Sequence, residues 1–359
     1  MISNETLFDA FGAPVSRENY KLCTIEGGKT KSWTARDLVA NAKKNPPQPI
    51  LKGLLNMGDI LLLHGSEESF KSMFVLQMAE CIALGIPLLN YWDVPTARKV
   101  GVLETEIHEV MLGERLSMMF PKDDYPDNLS FLRESELRDW RRLALKRKFE
   151  SIEAWVREEK IEVLMIDTAN DFFRGDDNPS AETDVGGFFD ELRNLKVGVR
   201  VIVRHDRKKK VEVDDLINSN ERIRGSAEWK EDPETILSLE RQDRRTNQVA
   251  LEVGKLRYGI KPQPFDAWFD AANFRLTALP PVIAVLQEGK RSRREIIAAC
   301  EKRFGLADRT VDDMLKIERT YLDEKQEGHE KTFQINGKQA LGAPWAVFFF
   351  GEVEERKQG

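Results

Sequence analysis

HGSEESFKSMFVLQMA, residues 64–79, places Gly65 six positions before Lys71 and puts Ser72 directly after that lysine. A loop that cradles a polyphosphate has the form G-x-x-x-x-G-K-[ST]. Its backbone N–H groups converge on the phosphates, its lysine reaches the outer ones and its hydroxyl holds a divalent cation. Phe70 stands where that pattern has its second glycine. Phenylalanine fits there if its φ is negative and its ring points away from the phosphates. The binding segment expected from the pattern is Gly65, Ser66, Glu67, Glu68, Ser69, Phe70, Lys71, Ser72 and Met73, in which Glu67 and Glu68 oppose a triphosphate unless they face solvent.

The surroundings support the loop. DILLLHG (59–65) is an apolar run of strand length, and KSMFVLQMAECIALG (71–85) carries apolar residues at helical spacing and ends in glycine. Further along, VGVLETE, IEVLMIDTA and GVRVIVRH read as buried strands, alternating with the helical segments EVMLGERLSMMF, ALKRKFESIEAWVREEK and VGGFFDELRNL. Strands alternating with helices predict an α/β fold with a mostly parallel sheet covered on both faces. ETILSLERQ and VALEVGKLRYG add two strands joined by the polar turn DRRTNQ.

Before the loop, residues 1–50 show little periodicity and end in KKNPPQPILKGLLNMGD, read as an extended lead-in or lid. After ALPPVIAVLQEG the texture changes to short helices, SRREIIAACEKRFG and RTVDDMLKIERTYLDE, and then a β-like stretch ending WAVFFFG. That order suits a winged helix-turn-helix. The expected domains are therefore 1–50, a core over 51–277, and a small winged-helix-like unit over 278–359.

A chain of 359 residues buries a full core and leaves room for a second unit. With 41% hydrophobic and 32% charged residues of interspersed sign, it reads as globular rather than disordered. No run reaches the roughly 18 apolar residues of a membrane span, and MISNETLFDAFG has no basic start before an apolar run, so the expected location is cytoplasmic. Cys23, Cys81 and Cys300 are too few and too scattered for a disulfide framework or a metal knuckle, and read as buried thiols. The net charge of −6 argues against a protein coated in basic surface, but local charge matters more than the sum, and RRLALKRK (141–148), RHDRKKK (204–210) and KRSRR (290–294) are local basic clusters.

Two carboxylates end strands. Asp167 closes IEVLMID, where it can reach a Mg²⁺ ion held by Ser72, and Glu106 lies at the end of VGVLETE. In an open α/β sheet ligands gather outside the carboxyl ends of the strands, so Lys71, Glu106 and Asp167 are expected to converge. Glu106 is the favoured base for an attacking water, with Glu104 a deeper rival on the same side.

With these segments in order, residues 35–275 resemble the RecA-like P-loop ATPases, and within them the branch of the plasmid replicative helicase RepA and the DnaB-type hexameric helicases. The segments are LKGLLNMGDILLLHG, VGVLETE, LMIDTANDFFRGDDN, VIVRHDRK, RIRGSAEWKEDPETILSLER and VGKLRYG. The resemblance implies ATP and Mg²⁺ as ligands, and a ring, usually a hexamer, on single-stranded DNA, with a replication initiator or primase as further partner. It implies a catalytic set of Lys71, Glu106, Asp167, His205, Lys255 and Arg257. In that set His205 senses the γ-phosphate, and Lys255 and Arg257 are fingers inserted into a neighbouring subunit's site. Relatives near RepA carry a doubled histidine where this chain has Arg204 and His205. Loops after the Asp167 and His205 strands face DNA in such rings. The second loop carries Arg207, Lys208, Lys209 and Lys210, with Arg224 nearby, suited to phosphate contacts that ignore sequence. The first is acidic, and its Phe172 and Phe173 suit stacking on bases or core packing. Two readings stay open: a DNA motor, and a RecA-fold regulator or assembly module with little unwinding.

Overall fold

The computed structural model describes residues 7–8, 14–15, 34–136, 140, 143–173, 182–206, 223, 227–241, 247–286, 289–304, 306–327 and 330–336. The chain divides into two compact units, Met1–Pro47 and Gln48–Gly359.

The first unit contains helix α1, Ala35–Lys44. The lead-in expectation gave no helix here. Its start is a capping box in which the Thr34 hydroxyl accepts the Asp37 N–H while the Asp37 carboxylate accepts the Thr34 N–H. Ala35, Leu38, Val39 and Ala42 share one face of it, yet none of its residues is buried.

The second unit is built on a nine-stranded sheet. In chain order its strands are β1 (Ile60–Gly65), β2 (Val100–Glu104), β3 (Leu129–Arg133), β4 (Val163–Asp167), β5 (Val199–His205), β6 (Thr235–Glu240), β7 (Gln248–Leu256), β8 (Phe265–Asp270) and β9 (Arg275–Leu279). Their spatial order is β9-β8-β7-β6-β1-β5-β4-β2-β3. From β6 to β3 neighbours run parallel, and β6 to β9 form an antiparallel meander. The mostly parallel α/β fold read from the sequence is the fold observed. The strands β3, β8 and β9 went unread: β3 and β9 are partly exposed edges, and β8, between β7 and β9, is interrupted by Asp266, so none shows the continuous apolar run that marks a central parallel strand.

Alternation along each central strand builds two layers. Leu61 and Leu63 of β1, with Val163 and Met165 of β4, pack on helix α2, Lys71–Leu84. Their neighbours Ile60, Leu62, Leu164 and Ile166 pack on the other face, under α4 (Leu145–Glu159) and α5 (Glu182–Asn194). Helix α2 is buried over nearly its whole length and stops at Gly85, which adopts φ 71° as its C-cap. Helix α3, Glu109–Met119, lies between β2 and β3 in the chain and buries Leu112 and Met119 against Leu76 and Phe120. A short helix, α6 (Glu228–Glu231), leads into β6.

After β9 come α7 (Pro281–Leu286), a short strand β10 (Arg291–Ser292), α8 (Arg293–Phe304), α9 (Asp308–Ile317) and the hairpin β11 (Leu322–Glu327) and β12 (Glu330–Ile335). β10 pairs with β12, giving a three-stranded antiparallel sheet against a core of Val282, Ile283, Ile296, Phe304, Val311 and Leu315. This segment belongs to the same compact unit as the large sheet. WAVFFFG lies outside the described residues. Among the described residues no helix is long and apolar enough to cross a membrane, and Cys81 and Cys300 are buried.

Candidate active site

Parallel strands deliver their carboxyl ends to one edge of the sheet, and the residues singled out from the sequence gather there. β1 ends in Gly65, where an added Cβ would lie 2.0 Å from the Leu239 carbonyl oxygen of β6. Only glycine lets the loop leave the strand so close to its neighbour. Glu67 and Glu68 are exposed, so their charges face solvent. Lys71 is buried at 3% exposure, and its Nζ donates to the carbonyls of Gly65 (3.0 Å) and Ser66 (2.5 Å) and to Ser69 Oγ (3.3 Å). Burial lowers its pKa, while Asp206, Asp167, Glu240 and Glu106 work to keep its proton.

Phe70 departs from expectation. Its φ is +62°, the left-handed conformation a glycine would take, rather than negative. That costs about 1–2 kcal/mol for a residue with a Cβ. Its ring stacks on Phe269 of β8 with centroids 4.2 Å apart, and the Arg241 guanidinium carbon lies 4.8 Å from the ring centroid. An aromatic pair and a cation over the ring each contribute about 0.5–1.5 kcal/mol, enough to offset the strain. The phenylalanine therefore keeps the glycine backbone geometry and turns its ring towards β8.

Asp167, at the end of β4, is 2% exposed and bonded to the Ser72 side chain. Burial, with the repulsion of Glu106, raises its pKa to about 6, against the pull of Ser72, His205 and Lys71. Its Oδ1 is buried with no hydrogen-bond partner among the described residues. An orphaned carboxylate oxygen beside a hydroxyl and a lysine is a donor set that fits a phosphate-bound divalent cation.

Glu104 and Glu106 differ in their surroundings. Glu104 is 2% exposed, and its Oε1 accepts the backbone N–H of Glu106 (2.9 Å) and of Ile107 (3.0 Å). Burial, and then the charge of Asp167, pushes its pKa up to about 8. Glu106 sits outside the strand, its side chain one-third exposed, with Oε2 3.3 Å from His205 Nε2. Beside it opens a cavity of about 340 Å³ bordered by Glu104, Thr105, His108 and Arg133.

The strand ends are tied together by residues that the sequence did not single out. Thr105 donates its backbone N–H to the Asp167 carbonyl, and its Oγ1 accepts the Thr168 N–H at 3.0 Å. The Thr168 hydroxyl donates to the Val203 carbonyl, two residues before His205. Asp206 pairs with buried His64 Nδ1 at 3.0 Å and donates its backbone N–H to the Gly65 carbonyl. Arg115 of α3 feels the charges of both Glu104 and Asp167 while burial lowers its pKa. Asp206 stands directly after His205 and could have been found by that adjacency. Nothing in the sequence marks Arg115.

Lys255 and Arg257 lie elsewhere. Leu256 pairs with Thr235, and Thr235 with Leu61, four residues below Gly65. At about 3.3 Å per residue that is some 13 Å down the strand, at the edge opposite the loop. Lys255 Nζ donates to the Lys230 and Glu231 carbonyls, and exposed Arg257 pairs with Glu234 at 2.8 Å.

The nucleic-acid candidates Arg207, Lys208, Lys209, Lys210 and Arg224 lie outside the described residues. Phe172 is 5% exposed in an aromatic cluster with Trp140, Phe149 and Phe188, and Phe173 lies against Phe188 and Trp229. Lys148, at the end of one basic cluster, is buried and donates to the Asp171 and Phe172 carbonyls, so it presents no charge to solvent. On α9, Lys316 pairs with Asp313, and Asp312 with Arg293.

One strand, β5, separates the loop strand from the Asp167 strand, and a lysine and a serine open the first sheet-covering helix. The class is that of RecA-like P-loop ATPases. The family model AAA_25, described as an AAA domain, matches residues 26–211, more than half of the 359 residues, and the chain belongs to that family. Among solved structures, the KaiC-like protein PH0186 from Pyrococcus horikoshii OT3 is similar at 12% identity and TM-score 0.46, covering 64% of this chain and 94% of its own. The RadB recombinase is similar at 13% identity and TM-score 0.42, covering 62% and 92%. No curated protein matches the chain in sequence.

Proposed function

We propose that this chain is an ATP-hydrolysing motor on single-stranded DNA, of the kind represented by the RepA-like replicative helicases, working as a ring, usually a hexamer, in the cytoplasm. The observation that carries the reading is the convergence of Lys71, Ser72, Asp167, Glu106 and His205 on one sheet edge. In this reading residues 65–73 wrap the triphosphate and the Lys71 ammonium leaves its loop oxygens for the outer phosphates. Ser72 and Asp167 would hold Mg²⁺, which supplies charge neutralisation on the phosphates when bound. Glu106 accepts the proton of a water as its oxygen bonds to the γ-phosphorus and the bond to the ADP oxygen breaks. His205, against Glu106, reports whether the γ-phosphate is present.

Lys255 and Arg257 stand at the far edge of their own sheet, which favours their acting on a neighbour's nucleotide. Arg207 to Lys210 and Arg224 would follow a DNA backbone, with a replication initiator or primase as a loading partner. We read the segment after residue 278 as a winged helix-turn-helix from its helix and hairpin order. The paired charges on α9 favour a protein partner over a DNA groove for it.

An ATPase assay with and without single-stranded DNA tests the reading. Turnover stimulated by DNA supports the motor. Tight nucleotide binding without turnover supports instead a RecA-fold regulator or assembly module.

A further inference from the structure

Two glutamates end the β2 segment, and Glu106, one-third exposed, is the outer of the two. Glu104 is buried to 2% exposure, yet a buried carboxylate is tolerated only where its oxygens are used. Its Oε1 is used twice, by the backbone N–H of Glu106 at 2.9 Å and of Ile107 at 3.0 Å. Those two amides belong to the turn that carries Glu106 off the strand towards His205. On its other side the same turn is fixed by Thr105, bonded to Asp167 and Thr168, and through Thr168 to β5.

We propose that Glu104 is a positioning residue, whose side chain folds the 104–107 turn and so sets the Glu106 carboxylate against His205 and the attacking water. The assignment rests on the ATPase reading for its catalytic consequence, but not for the turn itself. In this role Glu104 Oε1 is taken up by the two amides of the turn and is not offered to the attacking water. What the turn requires is an acceptor oxygen at this place, and a glutamine offers one with the same reach.

The full chain with Glu104→Ala and with Glu104→Gln separates the possibilities. Glu104→Ala should lower kcat by at least about tenfold, since misplacement of a reacting group by about 1 Å costs up to a hundredfold, with KM for ATP changed less than about twofold. Glu104→Gln should restore kcat to within about threefold of the parent. Hydrogen exchange at the Glu106 and Ile107 amides should quicken in the alanine variant alone. Unchanged kcat in Glu104→Ala overturns the proposal, as does a glutamine variant as slow as alanine, which would assign the work to the charge. Unchanged amide exchange overturns the anchoring. A parent protein that turns over no ATP while the alanine variant still loses protection would defeat the ATPase reading instead, and leave Glu104 as the anchor of the turn without catalytic consequence.

Discussion

Glu106 Oε2 and His205 Nε2 face each other at 3.3 Å across the carboxyl ends of two strands that are not neighbours in the sheet, since β4 lies between β2 and β5. The contact exists because Thr105 and Thr168 tie β2 to β4, and Thr168 ties β4 to β5. A carboxylate so placed serves as base only if it keeps its charge and reach. Glu106→Gln should therefore bind ATP as the parent does while losing turnover by about 10²-fold or more. Equal loss of binding and turnover would remove it from the base role.

Phe70 gives a prediction in which two small residues behave differently. Glycine relieves the left-handed strain as it loses the stack on Phe269, so Phe70→Gly should change stability by no more than about 1 kcal/mol. Alanine loses the stack and keeps the strain, and Phe70→Ala should lie about 1 kcal/mol below glycine. Denaturant melts order the variants, and alanine at or above glycine would show that the φ of +62° is not a cost.

Gly65→Ala puts a Cβ 2.0 Å from a backbone carbonyl that cannot swing aside. The loop must shift, and nucleotide affinity should fall by at least about tenfold, roughly 1.4 kcal/mol. Titration with a fluorescent ATP analogue reads it, and parental affinity would mean that the strand end gives way more easily than its packing indicates.

The pH dependence follows from Glu104, whose pKa stands at about 8 against an ordinary 4.5. A carboxyl group raised on folding favours the fold while protonated in both states. That contribution is complete below the unfolded pKa and disappears as pH rises through the folded one. Without nucleotide, the Tm of Glu104→Gln relative to the parent should rise from pH 5 to pH 9. Parallel profiles would show that Glu104 titrates normally.

A finger supplied by a neighbour predicts complementation. Lys71→Ala and Arg257→Ala should each be inactive, and mixing them should recover turnover at interfaces joining an intact loop to an intact arginine. A mixture that stays at background places Arg257 in its own subunit's chemistry.

The central strands and the loop helix were legible because burial on both faces writes an unbroken apolar run, as in ILLL of β1 and VLMI of β4. Asp167 was legible because it ends such a run and Glu106 because it lies just beyond one, whereas His205 came only from the family resemblance. α1 was missed although its capping box and the spacing of Ala35, Leu38, Val39 and Ala42 mark a helix, because the prolines that follow it drew the reading towards an extended lead-in. The strands β8 and β9 were missed because neither writes an unbroken apolar run, and with them the reason Phe70 is tolerated, because its stacking partner Phe269 lies 199 residues away in the chain.

The sequence by itself determined the central parallel strands, the loop and the order of the polar residues along them, all of which depend on local spacing and on the period of burial. The tertiary structure decided what those residues are to one another. Glu104 folds a turn while Glu106 faces His205, Lys71 is buried among loop oxygens, and Lys255 and Arg257 sit at the opposite edge. Those relations depend on which strands lie side by side, and strand order is set by packing and hydrogen bonds between segments far apart in the chain, which no local pattern records.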